Sequence, residues 1–163
     1  MWTRFAYDVG GLLFTLDDIE HGVLRCNRGH PKDGKAMFND KARKCLALKH
    51  LDHRIHFALN CGALSCPPIR IYQTDKLDEQ LDKAAKSFNS QEISVVNGKV
   101  VLSKLLLWYK KDFGQTDDEV LVTLAKYVTD ENLKSEVLKI ANDNNIAEKI
   151  VYKDYNWTLN SKQ

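Results

Sequence analysis

Ile93-Ser94-Val95-Val96-Asn97-Gly98-Lys99-Val100-Val101-Leu102-Ser103 decides the fold class. Two arms rich in β-branched residues flank Asn97-Gly98, a pair that readily takes the positive φ values of a tight hairpin turn. Upstream, Leu77, Leu81, Ala84 and Phe88 recur on one helical face, with Thr74 or Asp75 as the cap. Downstream, Ser103 starts a helix carrying Leu105, Leu106, Tyr109 and Phe113, which Gly114 ends. A hairpin set between helices, without regular strand–helix–strand alternation, predicts an α+β fold. The expectation is a small, largely antiparallel sheet packed by about five helices.

Working outward, Thr116-Asp117-Asp118-Glu119 is a capping box for a helix reaching about Val128, and Thr129 or Asp130 caps another to about Ala141. Residues 150–159 alternate and close on Trp157. Toward the N-terminus, residues 5–14 alternate around Gly10-Gly11 as a second hairpin. Thr15 and Asp18 then cap a helix over 16–25 that stacks Leu16, Ile19 and Val23. Residues 27–44 carry Gly29, Pro31 and Gly34 and are expected to be mostly loop. Alternation of Ile55, Phe57 and Leu59 against Arg54, His56 and Ala58 predicts a strand over 54–59. Residues 69–72 suggest a shorter one. No repeat or linker divides 1–163, so one domain is expected.

Composition narrows the function classes. The chain has 163 residues, 44% hydrophobic, which supports a real core. A net charge of +2, with lysines interleaved among acids, argues against a nucleic-acid binder that works through massed cations. The apolar run 105–109 is far shorter than the ~18 residues of a membrane span. Trp2, Phe5 and Tyr7 read as strand and not as an export leader. The four cysteines are therefore expected as reduced thiols in the cytosol. Cys26 and Cys45 have no polar constellation nearby and read as idle thiols. No cofactor is implied, because phosphate-cradling glycine loops, His-Glu-x-x-His and Cys-x-x-Cys are all absent.

The chemistry concentrates in Arg54-Ile-His56-Phe-Ala-Leu-Asn60-Cys61-Gly-Ala-Leu-Ser65-Cys66-Pro67-Pro68-Ile-Arg70. A thiolate is the nucleophile, and a neighbouring base or cation lowers the thiol pKa from about 8.5. Arg54, His56 and Arg70 are the candidates for that field, with Pro67-Pro68 holding Cys66 extended. The bland alternative is a stiff turn at Gly62 with two small core thiols. A Cys61–Cys66 bridge is sterically conceivable across four residues, but a cytosolic compartment disfavours it. His50, His53 and His56 raise zinc, but their spacing suits a helix face and not the expected strand, so no metal is expected. Glu20 lies at the edge of the buried stripe of its helix, where it is either a solvated Glu on an amphipathic helix, the plainer reading, or a carboxylate that wants a cation such as Arg54 or Arg70. Glu20 and His21 join Arg54, Asn60 and Arg70 as candidate binding residues.

Three blocks carry a family resemblance: Asp8-Val9-Gly10-Gly11, then Thr15-Leu-Asp-Asp-Ile-Glu-His-Gly-Val-Leu-Arg25, then Asp52-His-Arg-Ile-His-Phe-Ala-Leu-Asn-Cys-Gly-Ala-Leu-Ser-Cys-Pro-Pro68. With the closing Tyr155-Asn-Trp-Thr-Leu-Asn160, similar to the family's Tyr-Asp-Trp-Ser-Leu-Asn, the chain resembles domain of unknown function family 547. That family has no settled activity, and some members are joined to glutaredoxin-like or DEP domains. The resemblance implies a fold similar to the papain and transglutaminase group, and an upstream helix around Asn-Leu-Tyr-Asn that this chain lacks. In that group a cysteine opens a helix, and histidine and Asp or Asn follow on strands. Here Cys61 and Cys66 follow His56, Cys66-Pro67 cannot lie inside a helix, and Asn156 stands where the family usually has Asp. The leading expectation is a cysteine-dependent enzyme or pseudoenzyme with Cys66 or Cys61 as nucleophile, His56 as base and Asn156 as orienter. The alternatives are a non-catalytic protein-interaction module and, third, a thiol-redox role with glutaredoxin-like partners. Neither a nucleic acid nor a membrane is expected as partner.

Overall fold

Local turn chemistry starts the structure. In a computed structural model describing residues 3–161, β1 (Ala6–Val9) and β2 (Leu12–Thr15) pair antiparallel across Gly10 and Gly11, at φ +64° and +83°. The Asp8 carboxylate accepts from Gly11 N at 2.7 Å and closes the turn. The capping box then forms as expected: Asp18 N donates to Thr15 Oγ1 at 3.1 Å, and Thr15 N to Asp18 Oδ2 at 2.9 Å. The helix runs over 16–24, and Asp18–Leu24 is widened to π geometry, with Arg25 N donating to Glu20 O and Asn27 N to Gly22 O.

Gly22 has a packing reason: a Cβ there would lie 2.1 Å from Cζ of the Phe38 ring. Phe38 and Phe14 are both buried and meet edge to face at 5.7 Å, forming the heart of this region. Residues 25–40 are loop, fastened where Asn27 and Phe38 exchange hydrogen bonds. Asp40 caps the single turn α1 (Lys41–Lys44) by accepting from Arg43 N. Trp2, expected in the first strand, lies outside the described residues.

The chain divides into two compact units, Met1–Asp52 and His53–Gln163. The second is built around α2 (Leu77–Glu92) and the sheet of β3 (Ser94–Val96), β4 (Lys99–Ser103) and β5 (Ile150–Lys153). Strand order is β3-β4-β5, antiparallel between β3 and β4 and parallel between β4 and β5. Asn97 and Gly98 take φ +51° and +70°, as their hairpin requires. Ser103 Oγ accepts from Leu105 N and starts α3 (Lys104–Trp108), which breaks at Tyr109 before α4 (Lys110–Phe113). Gly114 ends the run at φ 178°, extended and not left-handed. A Cβ there would lie 2.7 Å from Glu119 Cβ, so close packing against α5 (Asp117–Ala125) is what demands glycine. Asp130 caps α6 (Glu131–Ala141). Phe57, Phe88, Val100, Leu102, Leu106 and Leu121 share the core of this α+β unit. Among the described residues no helix is long and apolar enough to cross a membrane.

Two sequence expectations need correction. The stretch 54–59 is not a strand: His53–Phe57 is a 3-10 helix, with Ala58 N and Leu59 N both donating to Ile55 O. Three consecutive residues, Ile55, His56 and Phe57, are buried, which a strand with one wet face does not allow. Residues 69–72 form no strand either. Ile69 and Ile71 are 80% and 88% exposed, and β3-β4-β5 has no position for them.

Candidate functional site

Residues 60–67 fold into a braced loop that carries both thiols. Asn60 does the bracing, accepting from Gly62 N at 2.7 Å and donating from Nδ2 to Pro67 O at 2.6 Å. Gly62 takes φ +89°, open to glycine at little cost. The chain near its C-terminus then clamps the loop: Ala63 bridges Leu159, Leu64 N donates to Thr158 O, and Asn160 N to Gly62 O. Ser65 Oγ accepts from Asn156 N at 2.9 Å. The Asn156 side chain accepts from Thr158 N, so it orders the clamp.

Within this frame the two sulfurs meet. Cys61 Sγ and Cys66 Sγ lie 3.0 Å apart, both as free thiols. Cys66 Sγ also receives Cys61 N–H at 3.2 Å and sits 3.2 Å from the Tyr155 hydroxyl. The pair is asymmetric. Burial works to raise the Cys66 pKa, but hydrogen bonds from the Cys61 thiol, the Tyr155 hydroxyl and backbone N–H groups outweigh it and hold that pKa below the ordinary thiol value. Cys61 moves the other way, raised by burial and by its hydrogen bond to Cys66. Burial and the neighbouring Cys66 raise Tyr155 as well, so the phenol keeps its proton and can donate a hydrogen bond to a thiolate.

Tyr155 ties this chemistry to an aromatic surface. Its ring lies 4.9 Å from Trp108 and 4.7 Å from Trp157, and the two indoles stack at 5.5 Å with 29° between their planes. Trp157 is 65% exposed, and Leu64 and Leu159 on the clamp are also exposed.

The remaining expected residues each make contacts within their own unit. His56 Nε2 lies 2.8 Å from Asp112 Oδ2, each side chain 1% exposed, and the imidazole stacks on Tyr109 at 4.0 Å. Arg54 pairs with Asp78 and Asp82 on α2, each at 2.6 Å. Arg70 donates to Ser87 Oγ at 3.0 Å. In the first unit, Glu20 lies 3.9 Å from His21 Nδ1, and burial lowers the pKa of His21, which packs edge-on against His30. His53, a weighed zinc ligand, meets the Tyr127 hydroxyl at 2.9 Å. Among the described residues, no three His, Cys, Asp or Glu side chains come together as a metal cluster.

Asp112, Tyr155 and Trp108 escaped the sequence reading. Asp112 had a visible signal: it lies three residues after Tyr109, on an otherwise apolar helical stripe, where a carboxylate needs a partner. Tyr155 and Trp108 offered none beyond being aromatic. A family model described as "Protein of unknown function, DUF547" matches residues 1–88. No curated protein and no solved structure matches the chain.

Proposed function

This chain belongs to the DUF547 family, and we propose that it acts by thiol–disulfide exchange, with Cys66 as the attacking sulfur and Cys61 as the resolving one. The observation that carries the reading is the 3.0 Å approach of two free thiols whose pKa values are pushed in opposite directions. A disulfide is about 2.05 Å long, so closing the pair asks for roughly 1 Å of side-chain motion within a loop already turned for it.

The exchange runs in two steps. The Cys66 thiolate attacks one sulfur of a partner disulfide; a new S–S bond forms, the old one breaks, and the leaving sulfur departs as a thiolate and takes a proton from solvent. Cys61 then loses its proton to solvent and attacks Cys66 Sγ, which releases the second partner thiolate. The partner disulfide gains two electrons and two protons, and the dithiol becomes a Cys61–Cys66 disulfide. Tyr155 donates its hydrogen bond to Cys66 whenever that sulfur carries charge. A glutaredoxin-like partner, which the family resemblance implies, is a fitting source of the exchanging sulfur. Acyl transfer of the papain type asks for an imidazole at the sulfur. Here the sulfurs are attended by a phenol and a second thiol, which favours exchange.

Trapping tests the proposal. With Cys61→Ser, a mixed disulfide between Cys66 and an added small disulfide accumulates, whereas the unaltered chain passes through it to the Cys61–Cys66 bridge, both read by peptide mass spectrometry. A mixed disulfide stable on Cys66 in the unaltered chain, with Cys61 still reduced, would show that Cys61 does not resolve it.

A further inference from the structure

Resting on the exchange reading, we infer that Trp108, Tyr155 and Trp157 form the recognition surface for the exchanging partner, and that this partner is a polypeptide disulfide flanked by apolar or aromatic residues.

Position is the first argument. The Tyr155 hydroxyl lies 3.2 Å from Cys66 Sγ while its ring contacts both indoles, so a single residue connects the sulfur to the aromatic surface. The second is burial. Trp157 leaves 65% of its surface in water, while the clamp of 62–65 against 156–160 fixes the backbone on either side of it. Its stacking partner Trp108 also stays 39% exposed. Rigid aromatic rings beside a reactive group bind apolar side chains at small entropic cost.

Charge decides between sources of a disulfide. A glutathione-type disulfide brings several carboxylates and needs cations around the sulfurs. Beside Tyr155, Asp154 is itself an acid and holds Lys104 at 2.5 Å, while Lys153 is paired with Glu92 at 2.8 Å. The surface next to the thiols is instead supplied by Leu64, Leu159 and Trp157. That complements an apolar peptide and not a polyanion. The three ring centroids lie 4.7–5.5 Å apart, which leaves no space for a cation between them.

The test uses the reduced full chain with three probes: oxidised glutathione, a disulfide-linked peptide with Phe and Leu flanking the cysteine, and the same peptide with Glu and Ser in those places. The readout is the rate of Cys61–Cys66 disulfide formation after acid quench and mass spectrometry. The apolar peptide reacts about five- to tenfold faster than the other two, the range that one or two aromatic contacts supply. Trp157→Ala brings the three rates toward equality, and Trp157→Phe restores most of the preference. Equal rates for all three probes in the unaltered chain overturn the recognition surface and leave the exchange reading standing. No Cys61–Cys66 disulfide with any probe removes the exchange reading, and the recognition surface with it.

Discussion

Tyr155→Phe isolates the interaction that sets the two sulfurs apart. The substitution deletes one oxygen, keeps the ring that contacts Trp108 and Trp157, and removes the hydroxyl 3.2 Å from Cys66 Sγ. A hydrogen bond to a charged group contributes about 1.5–3 kcal/mol. Cys66 is only half-buried, so solvent replaces part of what is lost, and about 1–1.5 kcal/mol remains. Since 1.36 kcal/mol is tenfold in an ionisation equilibrium, the thiolate population of Cys66 falls about five- to tenfold at any pH below its pKa. The assay is the rate of Cys66 alkylation against pH in the two chains, with thiolate ultraviolet absorbance as an independent titration. The profile moves to higher pH in the variant while the limiting rate at high pH stays the same. An unchanged profile, or faster labelling at neutral pH, would refute the assignment of Tyr155 as the donor to Cys66.

Two other predictions concern the buried histidines. Asp112→Ala leaves His56 buried beside an empty acceptor position and costs about 3 kcal/mol in urea unfolding, whereas Asp112→Asn retains an acceptor oxygen and costs less; equal effects would mean that the carboxylate has no special part. Burial lowers the pKa of His21 from 6.5, with Glu20 pulling the other way without reversing it, so the unfolded chain binds the proton first. Stability carried by neutral His21 is then fully present above about 6.5 and is lost as the pH falls toward the lower folded value. Thermal melts across that window show the slope in the unaltered chain and a flatter one in His21→Gln. An identical slope in both would place its source elsewhere.

Short-range chemistry was the legible part of the fold. Gly10-Gly11 and Asn97-Gly98 turned their hairpins, and Thr15, Ser103 and Asp130 capped their helices, because each acts on residues within three or four positions. The stretch holding Cys61 and Cys66 read as a connecting loop for the same reason, and it is one. Burial at a distance was not. His56 read as the wet face of a strand because its partner, Asp112, is 56 residues away, and without that partner nothing shows that a polar residue can be buried between Ile55 and Phe57. Tyr155 reaches Cys66 across 89 residues, so the group beside the thiol was sought among Arg54, His56 and Arg70, which are near in sequence. Asn156 was expected to orient His56 from near the last strand; its side-chain oxygen accepts from Thr158 N two residues on, a local turn that competes with any distant role.

The central claim is that Cys66 is the reactive sulfur, and labelling of the four cysteines with iodoacetamide at limiting reagent across pH tests it most directly. Exposure and activation predict opposite orders here, because Cys45 and Cys61 are exposed while Cys66 is half-buried. The account predicts that Cys66 labels first at neutral and mildly acidic pH, and that Cys61 falls behind Cys45 despite similar exposure. Labelling led by Cys45 and Cys61, with Cys66 trailing at every pH, would contradict it.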